Sequence, residues 1–345
     1  MNQSLAPFRG LFCGAGHFAK IQLRAWQSVP GAKVVALYNR SLDRARTLQG
    51  EYALETISDD YESLLDAVRP DFVDICTAAE THLPLALAAA RRGLPILCQK
   101  PLAPHVVLAE ELVAGCEAQS ARLMVNENWR WQGWYREMKR LLVAGAVGVP
   151  QHARFVLRPG DGWGDDPYPL QPFFREMTRF VLLEVGGHYL DTMRFLLGDI
   201  TALHCIIRRR NPRICGEDAA LVSLEFANGV TAIFDADRAA PVAKVRPPTN
   251  GHAVIEGTEG CLRLDEEGNL FLSRRGETER PHDYVVPAGY RGGSAIAAQT
   301  HFISSLRTGT PFETAGRAYL AVERAVEACY RSATTGLTER LEVAA

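Results

Sequence analysis

Glu184, His188 and Asp191 stand at i, i+4 and i+7. That spacing puts an imidazole and two carboxylates on one face of a helix, where they could meet a ligand. Apolar residues around them (Leu182, Leu183, Leu190, Met193, Leu197) recur at helical intervals and predict a helix over roughly 178–197. Gly186 and Gly187 fall inside it, each costing about 1 kcal/mol relative to alanine. Close approach of a ligand or of another backbone would offset that cost. A buried histidine bonded to a neighbour between tightly packed helices would use the same residues. A second reactive side chain, Lys100, lies in Gln99-Lys100-Pro101 at the end of an apolar strand, where the proline favours extended backbone before it. Alone, such a lysine reads as a solvated one. The elements that carry it decide its meaning.

Those elements begin at Leu11-Phe12-Cys13, an apolar strand running without a gap into Gly14-Ala15-Gly16-His17-Phe18-Ala19. In G-x-G-x-x-A the first glycine makes a tight turn and the second lets backbone approach a pyrophosphate. The small third position lets helix and strand pack closely. The helix that follows stops near Pro30-Gly31, leaving its N-terminal amides aimed at phosphate. A further strand over 33–38 completes the order a dinucleotide site requires, so Gly14, Gly16, His17 and Phe18 are candidate cofactor contacts. That strand ends in Asn39-Arg40-Ser41, where an acidic residue would take the adenosine ribose and repel a 2′-phosphate. Asn39 can bond a ribose hydroxyl and Arg40 can pair with a phosphate. NAD and NADP are both permitted, and Ser41 is placed to cap the next helix.

Strand and helix patterns keep alternating to about residue 125, which implies a doubly wound parallel sheet. Ligands in such sheets lie beyond the carboxyl ends of the strands. Thr77, Gln99 and Asn126 to Asn128 fall at such ends, and His82 opens the helix after Thr77. Thr77, His82, Gln99 and Asn128 join the cofactor set, and Lys100 becomes a candidate to act on a substrate.

Beyond residue 125 the pattern changes. Positions 129–143 read as a helix carrying Trp131, Trp134 and Tyr135, followed by half-buried strands at 151–157, 203–207, 220–226, 230–234, 253–256, 261–264 and 270–273. Ala227-Asn228-Gly229 marks a hairpin. A helical stretch over 296–332 breaks at Gly309-Thr310-Pro311. The glycine-rich run from Arg158 to Asp166 offers Arg158, Asp161 and Trp163, partners suited to sugar hydroxyls and C–H faces. A mobile lid or an oligomer contact would have the same composition. Arg179, a turn before Glu184, is placed to reach the same ligand.

The chain has 345 residues, 47% of them hydrophobic and 23% charged, with a formal charge of -2. That charge gives no electrostatic reason to expect nucleic acid or an anionic membrane, and Arg208-Arg209-Arg210 reads as a solvated strand end. No apolar run is long enough for a membrane span and no leader pattern opens the sequence. The eight cysteines are scattered, which predicts a reduced, cytoplasmic protein without a metal site.

GAGHFA after the first strand, QKP near 100, NENWRW, and the E-x-G-x-H-x-x-D run from Glu184 to Asp191 together resemble the Gfo/Idh/MocA oxidoreductases. These are relatives of glucose–fructose oxidoreductase and inositol dehydrogenase, and the likeness extends to the tail from His301. It implies an α/β fold with an N-terminal Rossmann domain (1–125). A C-terminal α+β domain (126–345) would carry a large, mainly antiparallel open sheet and form dimers or tetramers through it. It also implies an NAD- or NADP-dependent dehydrogenase acting on a hydroxyl of a sugar or polyol. The family's lysine and histidine carry onto Lys100 and His188. Lys100 would bond the substrate oxygen and His188 remove its proton, with Glu184 orienting the imidazole. Trp129 and Asp191, with Arg158, Asp161, Trp163 and Arg179, would complete the substrate contacts. Two positions depart from the family pattern, which has Glu before the lysine and Asp one turn before the histidine. Gln99 supplies no carboxylate beside Lys100, and Glu184 is longer than the usual aspartate. ICQKP, NENWRW, RPGDGWG and NPRICGEDA resemble the branch that oxidises D-apiose. A non-catalytic sugar-sensing regulator and an NADPH-dependent reductase are the alternatives.

Overall fold

The computed structural model describes residues 6–342. The chain divides into two compact units. Residues up to Trp131 with Ala288–Glu323 form one, and Gln132–Pro287 with the chain from Arg324 form the other.

The first unit begins with strictly alternating strands and helices: β1 (Phe8–Cys13), α1 (His17–Trp26), β2 (Ala32–Tyr38), α2 (Leu42–Tyr52), β3 (Thr56–Ser58), α3 (Tyr61–Val68), β4 (Phe72–Ile75), α4 (His82–Ala90), β5 (Ile96–Gln99), α5 (Val106–Ala118) and β6 (Leu123–Asn126). All six strands are parallel, in the order β3-β2-β1-β4-β5-β6. The order reverses between β1 and β4, the point at which such sheets leave a crevice. Inner strands buried on both faces need apolar residues throughout, as in Phe-Val-Asp-Ile of β4. Its one polar residue, Asp74, takes a hydrogen bond from the Trp26 indole at 2.7 Å. The three-residue β3 is too short to leave a pattern in the sequence.

The second unit opens with α6 (Gly133–Val143) and β7 (Pro150–Leu157), and then a π-helical turn over Leu182–Gly186 leads into α7 (Gly187–Leu197). After it come β8 (Ile200–Arg208), β9 (Ala219–Phe226), β10 (Thr231–Asp237), β11 (Gly251–Gly257), β12 (Gly260–Leu264), β13 (Leu270–Arg274) and β14 (Arg280–His282). With β15 (Glu339–Arg340) they form a nine-stranded sheet, ordered β14-β13-β12-β11-β7-β10-β9-β8-β15. Only β7 and β10 pair in parallel. Alternation along β9 buries Val222, Leu224 and Phe226 and turns Leu221 and Glu225 outward. Helix α7 covers the buried face, where Tyr189 stacks on Phe234 at 4.6 Å and meets Phe155 edge-on at 6.4 Å.

The chain then returns to the first unit as α8 (Ser294–Thr308), and the division between units falls inside α9 (Gly316–Thr335). This partition differs at two segments from the division expected at 125/126. Residues 126–131 and 288–323 pack with the first unit, because its core needs α8. Phe302 meets Phe72 edge-on at 5.5 Å and stacks on Phe312 at 5.3 Å, while Trp26 lies 5.0 Å from Phe72. The expected helix over 129–143 is a 3-10 turn at Trp129–Trp131 followed by α6. No helix among the described residues is long and apolar enough to cross a membrane.

Candidate active site

In the first unit, Gly14 ends β1 at φ +114 and gives its N–H to the Tyr38 carbonyl at 2.8 Å. A Cβ there would lie 2.3 Å from the Cys76 carbonyl oxygen just beyond β4, so the turn from β1 into α1 admits only glycine. Gly16 caps α1 and has nothing within 4 Å of where a Cβ would point, which leaves its backbone open to a diphosphate. His17 is exposed, and Phe18 meets Tyr290 edge-on at 5.7 Å. Asn39 bonds the Ser41 carbonyl at 2.8 Å, and Arg40 is exposed beside it. Ser41 occupies the cap position of α2 without a side-chain bond to the helix.

At the ends of β4, β5 and β6 the polar groups serve two purposes. His82 is buried with Nδ1 3.2 Å from the Leu102 carbonyl and Nε2 3.2 Å from the Thr77 carbonyl, so its ring joins two loops and both nitrogens are engaged. Burial holds its pKa below the usual histidine value, against the pull of those carbonyls. The Thr77 hydroxyl accepts a bond from Thr81 at 2.8 Å. Gln99 Oε1 folds back on the Lys100 N–H at 2.9 Å, while its Nε2 is buried without a partner. Asn126, opposite Gln99 in the sheet, has both side-chain polar atoms buried without a partner. Buried amides left unbonded are costly, and a ligand's hydroxyls can satisfy them. The orphaned amides, the glycine turn and the open face of Gly16 fit a dinucleotide. Asn128 bonds the Ser294 hydroxyl at 3.0 Å, and Trp129 is buried with the Arg291 guanidinium 5.3 Å from its ring. The peptide bond between Lys100 and Pro101 is cis.

In the second unit, the helix bearing His188 starts at Val181, three residues later than the spacing predicts, and its first turn is π-helical. Glu217 sets that start. Its Oε1 accepts the N–H groups of Phe180 and Leu182, each at 3.1 Å, and the Tyr330 hydroxyl at 2.6 Å. A helix leaves its first N–H groups unbonded, and here a carboxylate from the start of β9 takes them. A π turn advances less per residue than an α turn, so Glu184 and His188 are not aligned as an unbroken α-helix would align them. His188 and Asp191 are buried.

Glu184 Oε2 lies 3.2 Å from Nη1 of Arg238, a residue the sequence reading did not select. The Arg238 guanidinium is held from its other edge by Asp161, at 3.1 Å from Nε and 2.6 Å from Nη2. The rings of Tyr168, Phe174 and Phe180 stand 4.8 to 4.9 Å from it. A buried cation between two carboxylates and three ring faces has its charge fully compensated. Asp161 and Glu184 are thus brought together through Arg238. Arg158 instead bonds Asp235 (Oδ2 at 2.8 Å), and Arg179 bonds Glu327 at 2.8 Å over the Tyr330 ring. Trp163 is 64% exposed. The glycine-rich run is pinned, since Asn211 Nδ2 bonds the carbonyls of Gly162 (2.7 Å) and Gly164 (2.8 Å).

Comparison with known proteins assigns both halves. Residues 8–127 match the oxidoreductase family model with an NAD-binding Rossmann fold, and 135–263 match the Gfo/Idh/MocA C-terminal domain. The chain belongs to the Gfo/Idh/MocA oxidoreductase family. It is similar to a D-apiose dehydrogenase of Paraburkholderia graminis, 34% identical over 97% of this chain and 90% of that protein. A D-apiose dehydrogenase of Rhizobium rhizogenes is 33% identical over 97% and 98%. An oxidoreductase from Agrobacterium radiobacter, solved with NAD+, L-tartaric acid and magnesium, superposes with TM-score 0.91 at 32% identity, covering 97% of this chain and 98% of that one. As a Gfo/Idh/MocA protein the chain is an NAD-dependent oxidoreductase, and its six-stranded parallel and nine-stranded mainly antiparallel sheets are the family's two sheets.

Proposed function

We propose that the chain oxidises a hydroxyl of a sugar or polyol and that D-apiose is its substrate. Similarity to two D-apiose dehydrogenases over 97% of the chain carries this reading. Gly14, Gly16 and the first turn of α1 would hold the diphosphate, with Gln99 and Asn126 offering amides to the ribose or nicotinamide. NAD, when bound, supplies the acceptor for hydride from the substrate carbon. His188 removes the hydroxyl proton as general base. Lys100 donates a hydrogen bond to the same oxygen and stabilises its developing negative charge. Glu184 steadies the imidazole once it is protonated, and Arg238 keeps that carboxylate in place.

The test is nicotinamide absorbance with NAD and NADP in turn against D-apiose, D-xylose, D-glucose and the inositols. Fastest turnover of D-apiose with NAD is expected. Turnover of another sugar alone would replace the substrate, and turnover of none, with NADH still bound, would sink the reading. His188→Ala should lower kcat by about 10²–10⁴-fold with NADH affinity unchanged.

A further inference from the structure

The position before Lys100 supplies no carboxylate, yet the first unit carries one on the next strand. Gln99 of β5 and Asn126 of β6 are opposite each other in parallel register. The residues that follow, Lys100 and Glu127, therefore leave neighbouring strands side by side, with roughly 5 Å between strand axes. Glu127 is fully buried. Its Oε1 accepts the Trp129 N–H at 2.9 Å and its Oε2 the Tyr319 hydroxyl at 3.1 Å. A carboxylate sealed from water persists as an anion only among donors and cations. Burial pushes its pKa up, while the Trp129 amide, the Lys100 charge, the Tyr319 hydroxyl and the Arg130 charge oppose that rise. The nearby carboxylate of Glu323 bonds the Leu102 N–H at 2.8 Å and so holds the main chain of the Lys100 loop. Gln99 is differently engaged, with Oε1 on the Lys100 backbone N–H and Nε2 left for a ligand.

We propose that Glu127 is the positioning residue of Lys100, a carboxylate moved from the end of β5 to the end of β6 that fixes where the ammonium group points. The neutral amide of Gln99 is then left to the nucleotide, so two tasks are divided between two strands. The inference rests on Lys100 being the residue that bonds the substrate oxygen.

Three variants test it with the full-length enzyme, NAD and the best sugar of the panel: Glu127→Gln, the exchange Gln99→Glu with Glu127→Gln, and Glu127→Asp. Glutamine at 127 keeps the shape and an acceptor for the Trp129 N–H, so melting temperature and NADH affinity should stay near wild type. Its kcat should fall about ten- to a hundredfold with little change in KM, the size expected of a misaimed catalytic group. Returning a carboxylate to position 99 in the exchange variant should restore most of that loss. Wild-type kcat in Glu127→Gln, or an exchange variant as slow as Glu127→Gln alone, would overturn the proposal. If Glu127→Gln melts early, Glu127→Asp decides: recovery of kcat supports a charge at 127, and an equal loss overturns it. Lys100→Met separates the two levels. Normal turnover there would remove the role of Lys100 itself, whereas a dead Lys100→Met beside a fully active Glu127→Gln would remove only the role of Glu127.

Discussion

Arg238 shows how one side chain can connect distant parts of a site. It joins Asp161, 77 residues away in sequence, to Glu184, 54 residues away. Truncating it would leave two carboxylates facing three aromatic rings without the cation that bridges them. Arg238→Met should cost about 3–5 kcal/mol, read from urea denaturation, and slow turnover. A wild-type urea midpoint would show that the cluster does not hold the fold. Asp74 makes a prediction about pH. Burial raises its carboxyl to about 7, against the pull of the Trp26 indole bond. The folded value lies above the unfolded one of about 3.9, so the native state keeps a proton that the unfolded chain releases. Stability is fully present below about pH 4 and falls as pH rises towards 7. Asp74→Asn keeps the acceptor for the indole and should erase that slope, gaining up to about 4 kcal/mol over wild type at pH 8. Equal slopes in denaturation series at pH 5 and 8 would count against it. At this scale the sequence is legible where partners are local. Gly14, Lys100 and His188 announce themselves by spacing and strand position. Arg238 and Glu217 give no local signal, because their meaning lies in residues 54 and 37 positions away.

The same limit applies to the helix that carries His188. Its apolar periodicity runs back to about 178, yet regular structure begins at Val181. Periodicity reports which face is buried and not where a cap will form. The cap comes from Glu217, and Arg179, left outside the helix, turns to Glu327 and Tyr330. Glu217→Ala would leave the Phe180 and Leu182 N–H groups and the Tyr330 hydroxyl without their acceptor. A loss of about 2–4 kcal/mol is expected, together with a fall in kcat as the π turn relaxes. Unchanged thermal melting would mean that water replaces the carboxylate. The glycine-rich run offers substrate contacts or a lid by composition, and Asn211 ties two of its carbonyls down. Most strand positions in both sheets are readable because alternation or unbroken apolar runs mark them, whereas the short β3, β14 and β15 leave no pattern; the pairing of β7 with β10 has no sequence signature at all.

For the whole molecule, the family and the two-sheet architecture can be read from ordered motifs, while the partition of the chain cannot. A cut near 125 follows the change in pattern, but α8 completes the core of the unit that pattern leaves behind. A fragment ending at Trp131 would expose Phe72 and Trp26 where Phe302 and Phe312 should cover them. It should show no cooperative melting and no NADH binding, and a sharp transition in calorimetry would refute that. The arrangement also sets an order in time. Domains generally fold as they emerge from the ribosome, the N-terminal one first, at about 5–20 residues per second. Here the leading unit must wait for residues as late as Phe312. Between Trp131 and Phe312 that delay is on the order of ten to forty seconds. During it the parallel sheet is without one wall, and the second unit, which includes the chain from Arg324, is completed later still. Translation speed and chaperone supply, more than the stability of the finished enzyme, would then govern how much active protein a cell obtains.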